Sequence, residues 1–536
     1  MSIHWPIIRS LARRPHRLAI TDDRRSYKGA ELLIGAMHLA AHVAPLSQTS
    51  TVGLLIPTSG AFPMAALAVW MLGKTVVPIN YLLKPEEMNY VIRDCGCDTV
   101  ITVQAMLDFL GAAADACIYA PQAGGGAGPP TVRHLVRLED ISFRGIPEIS
   151  WPKLASDDDL GVLLYTSGTS GKPKGVMLSH GNITGNIRQI TNWVEFSPDR
   201  DLMFGVLPQF HSFGITVLSL LPLTLGLPVV YTARFVPHRI IKLLREQRPT
   251  VLVAIPSMYN ALLHVKDAGP DDFKSLRYLV SGGEPLPKSV FDGFRDRFGI
   301  TINEGYGLTE TSPVTNWCRP EEWRPGTVGR PLPEMDERII EIETGRELPP
   351  GVDGEIRMRG PNVMQGYYHL PEETAKAFDD RGFFRTGDIG RFDTDGLLYI
   401  TGRLKEMLIV GGENVFPREI EEVLNAHPSV KDSGVVGKQD PMRGEVPVAF
   451  IELKEAQPQG APTPVNSPTT PNTPTTVPFD EKSILAFCRQ RLAGYKVPDE
   501  VRVLEALPRN PTGKVMRREL KKLISEQAKT GAASRM

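Results

Sequence analysis

From about Asp159 to Glu310, short apolar runs alternate with amphipathic ones. "GVLLYT", "LMFGVLP", "LPVVYT", "VLVAIP" and "LRYLVSGG" have the length and composition of buried strands. "PHRIIKLLREQ" and "PKSVFDGFRDRF" carry apolar residues at helical spacing and follow such runs. This rhythm predicts largely parallel, helix-covered sheets. Ligands of such sheets sit beyond the carboxyl ends of strands. That singles out the loops "TSGTSGKPK", "SGGEPLP" and "NEGYGLTE", each expected to follow a strand. The first 120 residues share the rhythm and are assigned to the same large domain, with 121–130, "PQAGGGAGPP", as a flexible surface loop.

After Gly354 the pattern turns to strands and hairpins, as in "RFDTDGLLYI" with its Asp395–Gly396 turn. "GRLKEMLIVGGENVFPREIEEVL" predicts a strand pair, then a helix with Pro417 at its first position. A small α+β unit begins there. Inside it, residues 457–478 form a Pro/Thr tract with no hydrophobic pattern, expected to be disordered. We read this tract as an insertion between a strand ("VPVAFIELK") and a helix ("EKSILAFCRQRL") of one domain, not as a domain linker. The predicted class is α/β. A large N-terminal domain of mostly parallel sheets (1–402) is followed by a hinge (403–406) and a smaller mobile α+β domain (407–536).

Residues 213–231 carry no charge and reach membrane-spanning length, but Pro222, Gly226 and Pro228 cut them into helix and strand lengths. A buried core segment is expected instead. The N-terminus lacks a basic stretch leading into an apolar one, so no signal peptide is expected and the predicted location is cytoplasmic. With 60 basic and 61 acidic residues there is no global footprint for nucleic acid or an anionic membrane. Cys95, Cys97, Cys117, Cys318 and Cys488 are scattered, and the Cys95–Cys97 pair has no second pair at metal spacing. Buried free thiols are predicted in place of structural zinc.

The stretch "LLYTSGTSGKPKGVMLSH" is rich in glycine, hydroxyls and lysine. It is no P-loop, because Thr166 stands where the first glycine belongs and Pro173 where the magnesium-binding hydroxyl belongs. Its chemistry nonetheless suits a polyphosphate: backbone N–H groups and hydroxyls converge, and Lys174 adds charge. Taken alone, the stretch also fits a solvent loop. Four further motifs follow in order: "NEGYGLTE", "RTGDIG", "GRLKEMLIVGGENVFP" and "LPRNPTGKV". Together the five resemble the acyl-adenylate-forming superfamily of acyl-CoA synthetases, peptide-synthetase adenylation domains and luciferases, over nearly the whole chain.

The resemblance implies activation of a carboxylate by ATP to an acyl-AMP, then transfer to a thiol. It implies that Thr166, Ser167, Gly168, Thr169, Ser170 and Lys174 grip the β- and γ-phosphates. Gly282, Gly283, Glu304, Gly305 and Tyr306 would surround adenine, Thr309 would meet the α-phosphate, and Glu310 would hold Mg²⁺. Asp388 would anchor the ribose with help from Arg403, and Lys514 would be the catalytic lysine between carboxylate and α-phosphate. Lys405 would mark the hinge, with Gly411, Gly412 and Lys496 on the CoA side. His211 would border the substrate carboxylate, and Phe213, Ile215 and Val217 would line the acyl pocket, into which Gly307 leaves space. No acidic residue lies in "FHSFGITVLSLL" to pair an amino-acid ammonium, which disfavours an amino acid; the space left at Gly307 and the apolar lining lead to a medium- or long-chain fatty acid, with an aryl acid also fitting. ATP, Mg²⁺ and CoA are the implied co-substrates and cofactor. A carrier-protein phosphopantetheine is the alternative acceptor, and a silent acyl- or nucleotide-binding protein is the non-enzyme alternative.

Overall fold

A computed structural model describes residues 2–111, 114, 132–148, 151–166, 172–454, 480–509 and 515–533. The predicted strands are present. Leu18–Thr21, Val229–Tyr231, Met203–Gly205, Val251–Ala254, Tyr278–Ser281 and Asn303–Gly307 lie side by side in that order, each parallel to the next. The helices Pro237–Gln247 and Lys288–Phe298 connect them. Their buried residues, Ile240, Ile241 and Leu244 on one and Val290, Phe291, Phe294 and Phe298 on the other, fall on a single face at helical spacing. The same sheet continues through antiparallel strands, among them Val314–Trp317, Leu398–Arg403 and Phe384–Phe392.

A second sheet has a parallel core of His134–Arg137, Thr99–Thr102, Thr51–Leu55, Thr75–Pro78 and Leu160–Thr166. Lys174–Ser179 and Gly366–Tyr367 extend it in antiparallel fashion. Both sheets share one hydrophobic core, which joins described residues before 115 to those after 159 in a single large α/β unit. The uncharged segment is buried within it as helix Ser212–Ile215, a π-helical stretch Thr216–Leu220, helix Leu221–Leu225 and, past Gly226, strand Val229–Tyr231. Among the described residues no helix is long and apolar enough to cross a membrane.

From Leu408 onward the chain builds a smaller sheet with cores of its own. Its helix Pro417–Asn425 opens on proline, where the missing N–H costs nothing. Strand Gly444–Leu453 and helix Glu481–Arg489 flank the Pro/Thr tract, and Ala449 and Ile451 of the strand share a core with Ile484 and Cys488 of the helix. The flanks therefore share one core; the tract itself, like the loop 121–130, lies outside the described residues. Cys95, Cys97, Cys318 and Cys488 are buried free thiols, while Cys117 is outside the described residues.

Candidate active site

Asp388 and Arg403 are directly opposed on the antiparallel strands Phe384–Phe392 and Leu398–Arg403. The register turns two distant charges into an ion pair, Arg403 Nε to Asp388 Oδ1 at 2.7 Å. Tyr306 donates its hydroxyl to the other carboxylate oxygen at 2.7 Å. Asp388 is 2% exposed, so these donors replace the water it gives up. The Asp388 charge holds the Arg403 guanidinium above its usual pKa, and burial does the same to the Tyr306 phenol, which stays a donor. A carboxylate offers about four acceptor positions, which leaves this one able to accept from a vicinal diol.

"NEGYG" was expected to follow a strand; instead it is one, Asn303–Gly307, and the chain turns only at Thr309–Thr311. Glu304 points back toward the "SGGEPLP" loop, where the Leu286 N–H donates to its Oε2 at 3.2 Å, and burial raises its pKa to about 7. Gly283 has φ +81°, the left-handed conformation that favours glycine. A side chain at Gly282 would start 2.9 Å from the Phe213 ring and 3.5 Å from the Gly305 carbonyl, so these three are in close contact.

Thr166 and Lys174 pair across the mouth of the glycine-rich loop. Ser167, Gly168, Thr169 and Ser170 between them lie outside the described residues. Gly366–Tyr367 adds to the Lys174–Ser179 strand with Tyr367 opposite Val176, two residues from Lys174 and on the same face. The lysine Nζ consequently stands 5.1 Å from the Tyr367 ring centre. The Tyr367 hydroxyl donates to Glu310 Oε1 at 2.9 Å, while Lys174 Nζ donates to Glu373 Oε2 at 2.6 Å. Burial raises the Glu310 carboxyl, and the bond to Lys174 lowers that of Glu373. Neither Tyr367 nor Glu373 lies in any of the five motifs. The available signal was "GYYHLPEET", an aromatic pair followed by a proline-started helix, Pro371–Ala377. No cluster of three or more His, Cys, Asp or Glu side chains that could hold a metal occurs among the described residues. A cation at Glu310 would thus draw its other ligands from phosphate and water, which is how magnesium is usually held.

His211 precedes helix Ser212–Ile215, and its Nε2 is buried without a hydrogen-bond partner. Burial lowers its pKa to about 4, so the imidazole is neutral at neutral pH. Its ring lies tilted against Phe210 at 4.7 Å, which meets Tyr81 edge-on at 4.8 Å; Tyr81 in turn meets the exposed Phe109 at 6.0 Å. An aromatic run thus leads from the surface to the imidazole, which no motif announced. Ser212 Oγ lies 3.4 Å from Thr309 Oγ1, joining this helix to the Thr309–Glu310 turn. Ile215 and Val217 are buried in the core, whereas Phe213 keeps an accessible edge.

The expectation for Gly307 is corrected. A Cβ there would fall 1.8 Å from the Pro313 carbonyl oxygen, so the glycine permits close backbone approach in the hairpin and opens no space for an acyl chain. Gly411 and Gly412, with φ 62° and 90°, form the two-residue turn between Leu408–Val410 and Glu413–Val415, where such hairpins demand positive φ. They are exposed, and a Cβ at either would meet nothing within 4 Å. Lys496 is held by both Glu419 oxygens at 2.8 and 2.7 Å. Lys405 lies in the turn Leu404–Glu406; its neighbour Glu406 pairs with Arg517 at 2.8 Å, and Arg517 also pairs with Glu421 at 2.6 Å. Lys514 is outside the described residues, although Arg509 and Val515 on either side are bridged.

The chain matches the family model for AMP-binding enzymes over residues 7–368 and that for the AMP-binding enzyme C-terminal domain over 419–514. It is 32% identical to a long-chain-fatty-acid–CoA ligase of Bacillus subtilis (strain 168), over 95% of this chain and 92% of that one. A feruloyl-CoA synthase of Amycolatopsis sp is 31% identical over 97% and 98% of the two chains. The ATP-bound crystal structure of MatB from Rhodopseudomonas palustris superposes with a TM-score of 0.83 at 29% identity, covering 98% of this chain and 99% of that one. With Asp388, Tyr306 and Arg403 gathered beside the Thr309–Glu310 turn, these likenesses give one conclusion: the chain belongs to the AMP-binding enzyme family and is an acid–thiol ligase of the adenylate-forming acyl-CoA synthetase type.

Proposed function

We propose that the protein activates a medium- or long-chain fatty acid and transfers it to CoA. The observation that carries this reading is the turn Thr309–Glu310, which touches Ser212 beside the His211–Phe213 segment on one side and Tyr367 beside Lys174 on the other. Asp388 and Tyr306 complete a nucleoside end. In the first half-reaction a carboxylate oxygen attacks the α-phosphorus, the α–β bond breaks and pyrophosphate leaves. Asp388 accepts from the ribose hydroxyls while Arg403 fixes its carboxylate. Gly282, Gly283, Glu304, Gly305 and Tyr306 flank adenine. Lys174, with Thr166 and the 167–170 loop, holds the departing phosphates, and Thr309 meets the α-phosphate. Lys514 supplies a cation where negative charge grows in the transition state. Glu310 is the carboxylate to hold Mg²⁺, which when bound neutralises phosphate charge.

In the second half-reaction the thiol sulfur attacks the acyl carbonyl and AMP leaves. The small unit pivots at Lys405 for this step, bringing the Gly411–Gly412 hairpin and Lys496 to the CoA side. The neutral, unpartnered His211 imidazole and the Phe213 edge suit an apolar acid with a single carboxylate, and residues 211–225 contain no charged side chain to pair an ammonium. Relatives named for a long-chain fatty acid and for a feruloyl group agree with such a pocket. The test is acid-dependent pyrophosphate release with ATP and Mg²⁺, across acids from acetate to long-chain fatty and aryl acids, with CoA and a holo carrier protein as acceptors. The greatest kcat/KM is expected with a medium- or long-chain acid and CoA; preference for aryl acids or for the carrier protein would refute the assignment.

A further inference from the structure

On the large unit, away from the residues described above, a cavity of about 280 Å³ opens between the first helix, His4–Arg13, and the end of helix Leu221–Leu225. Arg9, Arg13 and Arg14 line it together with the hydroxyls of Ser10 and Thr224. The first 21 residues hold four arginines and no acidic residue. Asp199 is the carboxylate that reaches them, 2.5 Å from Arg17 and 3.9 Å from Arg14. Arg9 and Arg13 have no hydrogen bond or ion pair with any described residue, and Arg14 Nη1 is buried without a hydrogen-bond partner. Arg9 and Arg13 are also four residues apart on one helix, where like charges repel. Arg9 and Arg13 are exposed and hydrated in the free protein, while the buried Arg14 Nη1 gives up water without gaining an acceptor, which costs stability until an anion supplies one.

We propose that this cavity is a binding site for a phosphate-bearing anion, either a free phosphate compound or the headgroup of an anionic phospholipid. Guanidinium forks match tetrahedral phosphate oxygens, two parallel hydrogen bonds at a time. Three of them can serve the several oxygens and higher charge of a phosphate, which a single planar carboxylate would leave partly unused. The two hydroxyls add short-range donors, and an anion seated there would relieve the Arg9–Arg13 repulsion.

The test uses the full chain with its nucleotide cleft saturated by a non-hydrolysable ATP analogue and Mg²⁺. Inorganic phosphate is titrated by calorimetry at constant ionic strength, and vesicles of phosphatidylcholine with and without phosphatidylglycerol are tested by sedimentation. Saturable binding is expected in at least one arm, and which arm responds identifies the source of the phosphate. Arg9→Gln/Arg13→Gln should weaken that binding at least tenfold. The same variant should leave the unliganded Tm unchanged or raised, because a repulsion has been removed; arginines that served only packing would lower it. Arg9→Glu alone should abolish binding in the same assay. No saturable binding by the wild-type chain in either arm, or binding that survives both variants, overturns the proposal.

Discussion

Lys174 is already paired in the free protein. Glu373 holds its Nζ at 2.6 Å, and the neighbouring Tyr367 ties up Glu310. Under the proposed reaction a phosphate must take the place of Glu373. Glu373→Gln should therefore lower the KM for ATP two- to fivefold with little change in kcat, the modest size expected of a partly exposed pair. Steady-state kinetics at low and high salt check this, and an unchanged or raised KM would show that the pair positions Lys174 instead of restraining it. The motifs singled out Lys174, Asp388 and Glu310 because each sits in a dense run of glycine and polar residues. Tyr367 and Glu373 were not legible, because their relevance arises from sheet pairing of Gly366–Tyr367 with Lys174–Ser179. Gly307 was misread for a related reason: a sequence shows that a side chain is missing, but only the Pro313 carbonyl shows what fills the gap.

Among elements, legibility followed periodicity. Pro237–Gln247 has a helix-starting proline and a regular apolar stripe, and its limits match the sequence pattern. "NEGYG" has no apolar alternation, so its strand is set by its neighbours, Tyr278–Ser281 and Val314–Trp317. The small domain offers the clearest element-scale prediction. Its strand Gly444–Leu453 and helix Glu481–Arg489 meet in one core irrespective of what joins them. Deleting 458–477 should leave the rate of acyl-CoA formation within about twofold and the Tm equal or slightly higher, since a shorter loop costs less to close. A loss of more than tenfold in acyl transfer would show that the tract takes part in the reaction.

For the whole molecule, one chain must perform two chemistries at one site. Lys514→Ala should abolish acid-dependent pyrophosphate release yet preserve acyl transfer from supplied acyl-AMP to CoA, with the two half-reactions assayed separately. Equal loss of both halves would count against a pivot at 403–406. Titration is a second molecule-wide property. Burial lowers the pKa of His4, His180 and His211 to about 4 from 6.5. Unfolding therefore takes up protons at these sites between pH 4 and 6.5, and their contribution to stability is lost as pH falls through that window. Burial raises Glu304 to about 7 and Glu337 to about 8 from 4.5. These carboxyls favour the folded state at low pH, and that advantage is lost as pH rises through 7 and 8. Burial also lowers His427 and raises Glu310 and Glu421, so the two sets oppose each other below pH 6.5, whereas above it the histidines are neutral in both states and only the carboxyls act; stability should therefore fall from pH 6.5 to 8. Urea midpoints at pH 5, 6.5 and 8 test the prediction, with Glu337→Gln expected to flatten the alkaline fall; a midpoint still rising at pH 8 would contradict it.

The shared core of strand Gly444–Leu453 and helix Glu481–Arg489 also bears on how the polypeptide could be rearranged. Where the two elements flanking a connection are anchored to each other by packing, the covalent link between them is not what holds them together. A chain cut within the Pro/Thr tract 457–478 should still associate as two separately translated pieces, with Ala449 and Ile451 supplied by one and Ile484 and Cys488 by the other; failure of the co-expressed pieces to copurify would contradict this. The tract between them is thus a place to cut the chain, suited to inserting a foreign domain or to making the enzyme's assembly conditional on two halves meeting.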